Sequence, residues 1–108
     1  MSDNEPQLVD DGHAAEWRLN GMYHKIGEPA VTYRDGSESW YEDGVRHRVG
    51  GPAIIWPNTS RGPMLQYWLD GTCYTLDGYC KKLNLPDEDK SYLVLMFGYG
   101  DTKDLQNR

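Results

Sequence analysis

Short alternations of apolar and polar residues, separated by turn pairs, fill the first two thirds of this chain, and they recur. The stretch Glu16-Trp17-Arg18-Leu19-Asn20-Gly21-Met22-Tyr23-His24-Lys25-Ile26-Gly27-Glu28-Pro29-Ala30 returns as Ser39-Trp40-Tyr41-Glu42-Asp43-Gly44-Val45-Arg46-His47-Arg48-Val49-Gly50-Gly51-Pro52-Ala53. Trp17 and Trp40, Gly21 and Gly44, His24 and His47, Pro29 and Pro52, and Ala30 and Ala53 all step by 23. Coincident offsets across such mixed residue types mark a tandem repeat. A decayed third copy is read from Trp68, in Tyr67-Trp68-Leu69-Asp70-Gly71-Thr72-Cys73-Tyr74-Thr75; it keeps the turn, puts Tyr74 where His stood and loses Gly-Pro-Ala. Pro6, 23 residues before Pro29, is the tail of a preceding copy, and terminal copies degenerate because they cap an array.

Each unit carries its own turn chemistry. Asn20-Gly21, Asp43-Gly44 and Asp70-Gly71 are two-residue hairpin loops of the kind that needs positive φ at both positions. Gly27 and Gly51 release a second bend, and Pro29 and Pro52 open the next strand, where a missing N–H is tolerated. That strand (30–33, 53–56) ends at Arg34-Asp35-Gly36 in one copy and in a longer loop, 57–62, in the next. These signals predict a mainly β fold, an open antiparallel meander of about three 23-residue repeats. Trp17, Trp40 and Trp68 should line one face as a ladder and form the core. After residue 75 the period changes. Leu76, Tyr79, Cys80 and Leu83 fall at helical spacing behind Thr75 as N-cap. Pro86 begins a second helix with Asp87, Glu88 and Asp89 in its first turn, running to Phe97 and stopping at Gly98. Tyr92, Leu93, Leu95, Met96 and Phe97 surround that helix, so it should be buried, either on the open end of the sheet or on a partner chain. The chain reads as a single domain, 1–108, with a repeat sheet (5–75), a helical cap (76–97) and a mobile tail (98–108).

Composition narrows this further. Apolar residues are only 38%, but four Trp and eight Tyr supply large rings that can cover a thin sheet. A net charge of −6 argues against general nucleic-acid binding, which needs basic groups to displace counterions. The acidic first residues lack an apolar run, so no secretory signal is read, and the cluster 92–97 is too short to span a bilayer. Cys73 and Cys80 lack ligand spacing and read as thiols of a reducing, cytoplasmic compartment.

Candidate chemistry is sparse. His24-Lys25 and His47-Arg48 could form an anion site, but recurrence in both full copies favours a structural role, each His bonding the Gly-Pro bend after it. No metal site is expected, since no His or Cys pair is tightly spaced, and no cofactor is implied. There is no Gly-x-Ser-x-Gly, phosphate loop or His-Glu-x-x-His. Asp10-Asp11 and Glu42-Asp43 are the carboxylate pairs considered for acid–base work, and turn chemistry or a solvated surface accounts for them. A non-enzyme is expected. Exposed rings interleaved with Arg are enriched at interaction hot spots, which makes Tyr23, Tyr41, Tyr67 and Trp56 the outward aromatic candidates. Arg46, Arg48 and Arg61 would be their cationic companions toward an acidic partner surface.

The pattern Trp-Tyr-x-x-Gly-x-x-His-Arg-x-x-Gly-Pro-Ala, here Trp40 to Ala53, resembles repeats of tailed-phage and giant-virus proteins that look like relatives of the MORN repeat. The resemblance covers residues 5–75. It implies an open twisted sheet used as a scaffold or interaction surface and no catalytic set. The chain departs from MORN proper, which opens with Tyr-x-Gly and lacks the His-Arg/Gly-Pro-Ala half. The resemblance leads to the expectation of a small phage protein that binds and modulates a host protein, for example an anti-defence inhibitor. Two alternatives stand beside it: a binder of a nucleotide or phosphorylated ligand, and a self-assembling protein that dimerises through a sheet edge or the helix at 87–97. Neither nucleic acid nor membrane is an expected partner.

Overall fold

A computed structural model describes residues 5–60 and 62–98. Its elements are β1 (Gln7–Asp10), β2 (Ala14–Leu19), β3 (Met22–Tyr23), β4 (Val31–Tyr33), β5 (Glu38–Ser39), β6 (Tyr41–Glu42), β7 (Val45–Arg46), β8 (Ile54–Thr59), β9 (Gly62–Leu69), β10 (Thr72–Tyr74), α1 (Leu76–Lys82) and α2 (Asp87–Phe97). The fold is mainly β. One antiparallel sheet runs β1-β2-β4-β5-β8-β9-β10, with β3 hydrogen-bonded to the outer half of β2 and β6-β7 forming a separate ribbon.

The turn pairs behave as their chemistry demands. Asn20, Asp43 and Asp70 sit at φ 53°, 52° and 49°, and the glycines after them at 81°, 79° and 82°, so both central positions are left-handed. The hairpins they close stack side by side. Gly44 N–H donates to Tyr23 O (2.9 Å) and Lys25 N–H to Tyr41 O (3.2 Å). Gly71 N–H donates to Arg46 O (2.9 Å) and Arg48 N–H to Trp68 O (3.1 Å) in the same way. Trp17 and Trp40 donate at 2.7 Å to Ala30 O and Ala53 O. Both alanines are 0% exposed, so the Ala after each Pro is a packed interior position.

These bonds correct the reading of the third hairpin. Trp68 O accepts where Tyr41 O accepts, and Tyr67 pairs with Tyr74 as Trp40 bonds His47. Tyr67, not Trp68, therefore holds the place of Trp17 and Trp40. Counting from the Asp-Gly turn rather than from the Trp gives this register, and a one-residue slip reverses every side chain's face. The three tryptophans do not form one ladder, and each is only partly buried.

The larger core cluster lies instead under the helices, and a smaller one gathers Ala14, Ala30 and Val31 with Tyr23 and Tyr41 packed against it. Leu65, Tyr67 and Leu69 of β9 pack with Leu76, Tyr79 and Cys80 of α1 and with Leu93 of α2. Thr75 caps α1 as predicted, its hydroxyl accepting from Gly78 N–H at 3.0 Å, and Pro86 is the N-cap of α2 rather than its first helical residue. The helix at 87–97 is buried on the chain's own sheet along one stripe only: Leu93 is buried and Val94 and Phe97 pack partly, whereas Leu95 is 82% exposed. The apolar circumference read from the sequence is wider than the contact, because α2 lies on the surface of the cap with one flank outward. The predicted loop at 57–62 is also shorter than expected: β8 and β9 extend into it as a hairpin, with a register shift between Trp56 and Thr59. The tail at 99–108 lies outside the described residues.

Candidate functional site

Successive strand residues point to opposite faces of a sheet, so Trp40 and Tyr41, like Tyr67 and Trp68, divide between two surfaces. The helices cover the face of Tyr67. On the other, open face a line of alternating cations and rings crosses the stacked hairpins. The Arg18 guanidinium lies 4.9 Å from the Tyr23 ring centroid, and Tyr23 lies 5.1 Å from Tyr41. Arg46 then sits between Tyr41 (5.0 Å) and Trp68 (4.9 Å), with Nη2 donating to the Tyr41 hydroxyl. Cross-strand pairing sets this order, since Arg18 opposes Tyr23 and Tyr41 opposes Arg46. Each cation–ring contact stabilises by about 0.5–2 kcal/mol depending on solvation, which helps to fix the side chains in this arrangement. Trp68 is oriented by its indole N–H, which donates to Gln66 Oε1 at 2.9 Å.

Beside Arg46 a cleft of about 250 Å³ opens, lined by Tyr33, Asp35, Ser37, Ser39, Ile54 and Trp56. Tyr33 is 43% exposed, and its hydroxyl pKa is raised, first by burial. Asp35 Oδ1 accepts from Ser37 N–H at 2.8 Å, and that bond holds its carboxyl below the ordinary value.

The sequence-derived candidates separate on this geometry. Tyr23, Tyr41 and Arg46 come together, and Trp56 joins them through the cleft. Tyr67 does not: it is 0% exposed, its ring 4.7 Å from Tyr79, because its true register turns it inward. Arg48 also belongs to the helix face, stacked 3.6 Å over Trp40 and 5.3 Å from Phe97, with Nη1 donating to Pro52 O at 3.0 Å. Burial lowers its pKa. Lys25 makes the equivalent contact on Trp17 at 3.8 Å, so this cation braces each hairpin. Arg61 lies outside the described residues. Sequence reasoning misses Arg18, Tyr33 and Trp68 as site residues. Tyr33 precedes Trp56 by 23, and that aromatic recurrence is the signal that could have found it; Trp68 is hidden by the one-residue slip in register.

His24 and His47 each hold a turn, though not the one expected. His24 Nδ1 accepts from Asp43 N–H at 2.9 Å and His47 Nδ1 from Asp70 N–H at 3.0 Å. Each reaches the turn of the next hairpin rather than its own Gly-Pro bend, since the hairpins lie side by side. The carboxylates are likewise engaged in turns: Asp10 Oδ1 accepts from Gly12 N–H at 2.9 Å and Asp11 Oδ1 from His13 N–H at 2.9 Å. Among the described residues no three of His, Cys, Asp and Glu converge to hold a metal, and no helix is long and apolar enough to cross a membrane. A larger cleft of about 500 Å³ between α1 and α2 mixes Asp77, Lys81, Asp87 and Lys90, with Lys90 donating to Asp77 across it. Burial pushes the Cys80 thiol on its wall upward, away from the reactive thiolate. No family model matches the chain, and neither the curated proteins nor the solved structures contain a match to it.

Proposed function

We propose that this chain is a MORN-like repeat protein of phage origin, a non-catalytic module that binds a host protein in the cytoplasm through its open face and modulates that protein's activity. The observation that carries the binding reading is the line Arg18–Tyr23–Tyr41–Arg46–Trp68 with the adjoining cleft. Rings and arginines held rigid before binding lose little entropy on contact, and such residues dominate interface energetics. The phage setting and the anti-defence role rest on the repeat's resemblance alone. On the open face the nucleotide alternative has less support, because the cleft of about 250 Å³ falls below the roughly 300–1,000 Å³ of drug-sized ligand pockets, and in the larger cleft between α1 and α2 Lys90 is engaged with Asp77. Tagged protein in bacterial lysate should retain one partner near stoichiometry, and failure to do so across several hosts would sink the reading.

Self-assembly has one observation of its own: Tyr92, Leu95 and Met96 form an exposed apolar flank on α2. Light scattering over a concentration series decides it, with a concentration-dependent dimer supporting this second reading and a strict monomer removing it.

A further inference from the structure

The two arginines of the open face differ in one respect. Arg18 has its own carboxylate: Glu16 Oε1 accepts from Nη2 at 2.6 Å and from Nε at 2.9 Å while the guanidinium lies over Tyr23. Arg46 repeats the ring contact but not the ion pair. Among the described residues no Asp or Glu pairs with it, only Nη2 is used, on the Tyr41 hydroxyl, and its Nε is buried with no acceptor. Arginine carries five N–H donors in a fixed fork, and a half-buried cation without a counter-charge is costly to hold. Tyr41 and Trp68 nevertheless fix this one in place beside an open cleft.

We propose that the cleft beside Arg46 takes one carboxylate side chain, Asp or Glu, of the protein partner, completing at Arg46 the carboxylate–arginine–tyrosine arrangement that Glu16, Arg18 and Tyr23 already form. This rests on the open face being a protein-binding surface. Two features favour a side-chain carboxylate over a phosphate. The volume of about 250 Å³ suits one side chain better than a nucleotide. Arg46 is the only Lys or Arg lining the cleft among the described residues, whereas phosphate sites usually gather several donors. Tyr33 and Trp56 on the walls then cover the methylenes of the incoming chain.

The test is an NMR titration of the isotope-labelled full chain, following the Arg46 Nε–H and Trp56 indole N–H signals. The probes are a capped Ala-Ala-Glu-Ala-Ala peptide, its Gln counterpart and inorganic phosphate. The Glu peptide should move both signals saturably in the millimolar range, the Gln peptide should bind at least about tenfold more weakly, as loss of a charged hydrogen bond implies, and the Arg18 Nε–H should stay still. In Arg46→Gln the Trp56 response should vanish with the remaining spectrum preserved; the wild-type titration decides the matter if that variant does not fold. Equal responses to the Glu and Gln peptides, a phosphate response as strong as the Glu response, or no response to the Glu peptide would each overturn the inference. If the Glu peptide fails while the wild-type chain still captures a host protein, the cleft assignment falls and the binding module stands. If no lysate protein is captured either, both fall.

Discussion

Two buried tyrosines on the helix face show how differently the same hydroxyl can be used. Tyr79 OH accepts from Gly50 N–H at 2.9 Å and donates to Arg48 O at 2.7 Å, tying α1 to the bend after β7. Tyr67 OH, a ring contact away, is buried with no partner among the described residues. Removing a paired buried group leaves its partners unsatisfied, so Tyr79→Phe should lower unfolding free energy by about 1–3 kcal/mol. Tyr67→Phe removes an unpaired hydroxyl and should leave stability unchanged or raised by about 1 kcal/mol. Urea denaturation of the two variants checks the contrast, and a larger loss at Tyr67 would contradict it. Burial raises both hydroxyl pKa values above the ordinary 10.0, so both rings remain neutral phenols under ordinary conditions. At this scale the sequence is a partial guide. It offers Tyr67 as an outward ring, because nothing in a Tyr-Trp pair says which residue faces in until the register from the Asp-Gly turn is known.

Among the elements, the hairpin is the part most legible from sequence, because its turn chemistry is local. Asp-Gly and Asn-Gly loops name their own geometry, and Thr75 and Gly98 mark helix ends by equally local rules. What joins one hairpin to the next is not legible, since it depends on groups distant along the chain. His47 is the clearest case, reaching Asp70 across 23 residues. His47→Ala should cost about 1 kcal/mol and should speed hydrogen exchange at Asp70 N–H, while the turn itself persists; unchanged protection there would count against the cross-hairpin link. Helix α2 is legible in extent but not in facing, because apolar residues all round a short helix give no preferred direction. Leu93→Ala should cost about 2–4 kcal/mol as a core truncation, whereas Leu95→Ala should stay within about 0.5 kcal/mol. Thermal melts of the pair report which flank is packed.

For the molecule as a whole, the consequence of the architecture is an asymmetry between faces. The helices and the Lys25 and Arg48 braces occupy one side of the sheet. The other carries Arg18, Tyr23, Tyr41, Arg46 and Trp68, with neither α1 nor α2 over it. On a chain of net charge −6, Arg46, which no Asp or Glu pairs with among the described residues, is the cation of this face left for an acidic partner group. Capture should therefore weaken as salt rises, because exposed charge pairs are screened within about 10 Å at 0.1 M, and a salt-insensitive complex would point instead to the apolar flank of α2.

Quantitative capture from bacterial lysate separates the two surfaces when three tagged forms are compared at equal load: wild type, the Tyr33→Ala/Trp56→Ala double variant of the open face, and the Tyr92→Ala/Leu95→Ala double variant of the helix flank. Wild type and the helix-flank variant should retain the same partner near stoichiometry. The open-face variant, shown folded by its amide spectrum, should lose it by about tenfold or more, as truncation of interface aromatics implies. Retention of the partner by a folded open-face variant, or its loss only in the helix-flank variant, would contradict the claim that the open aromatic face is what this protein binds with.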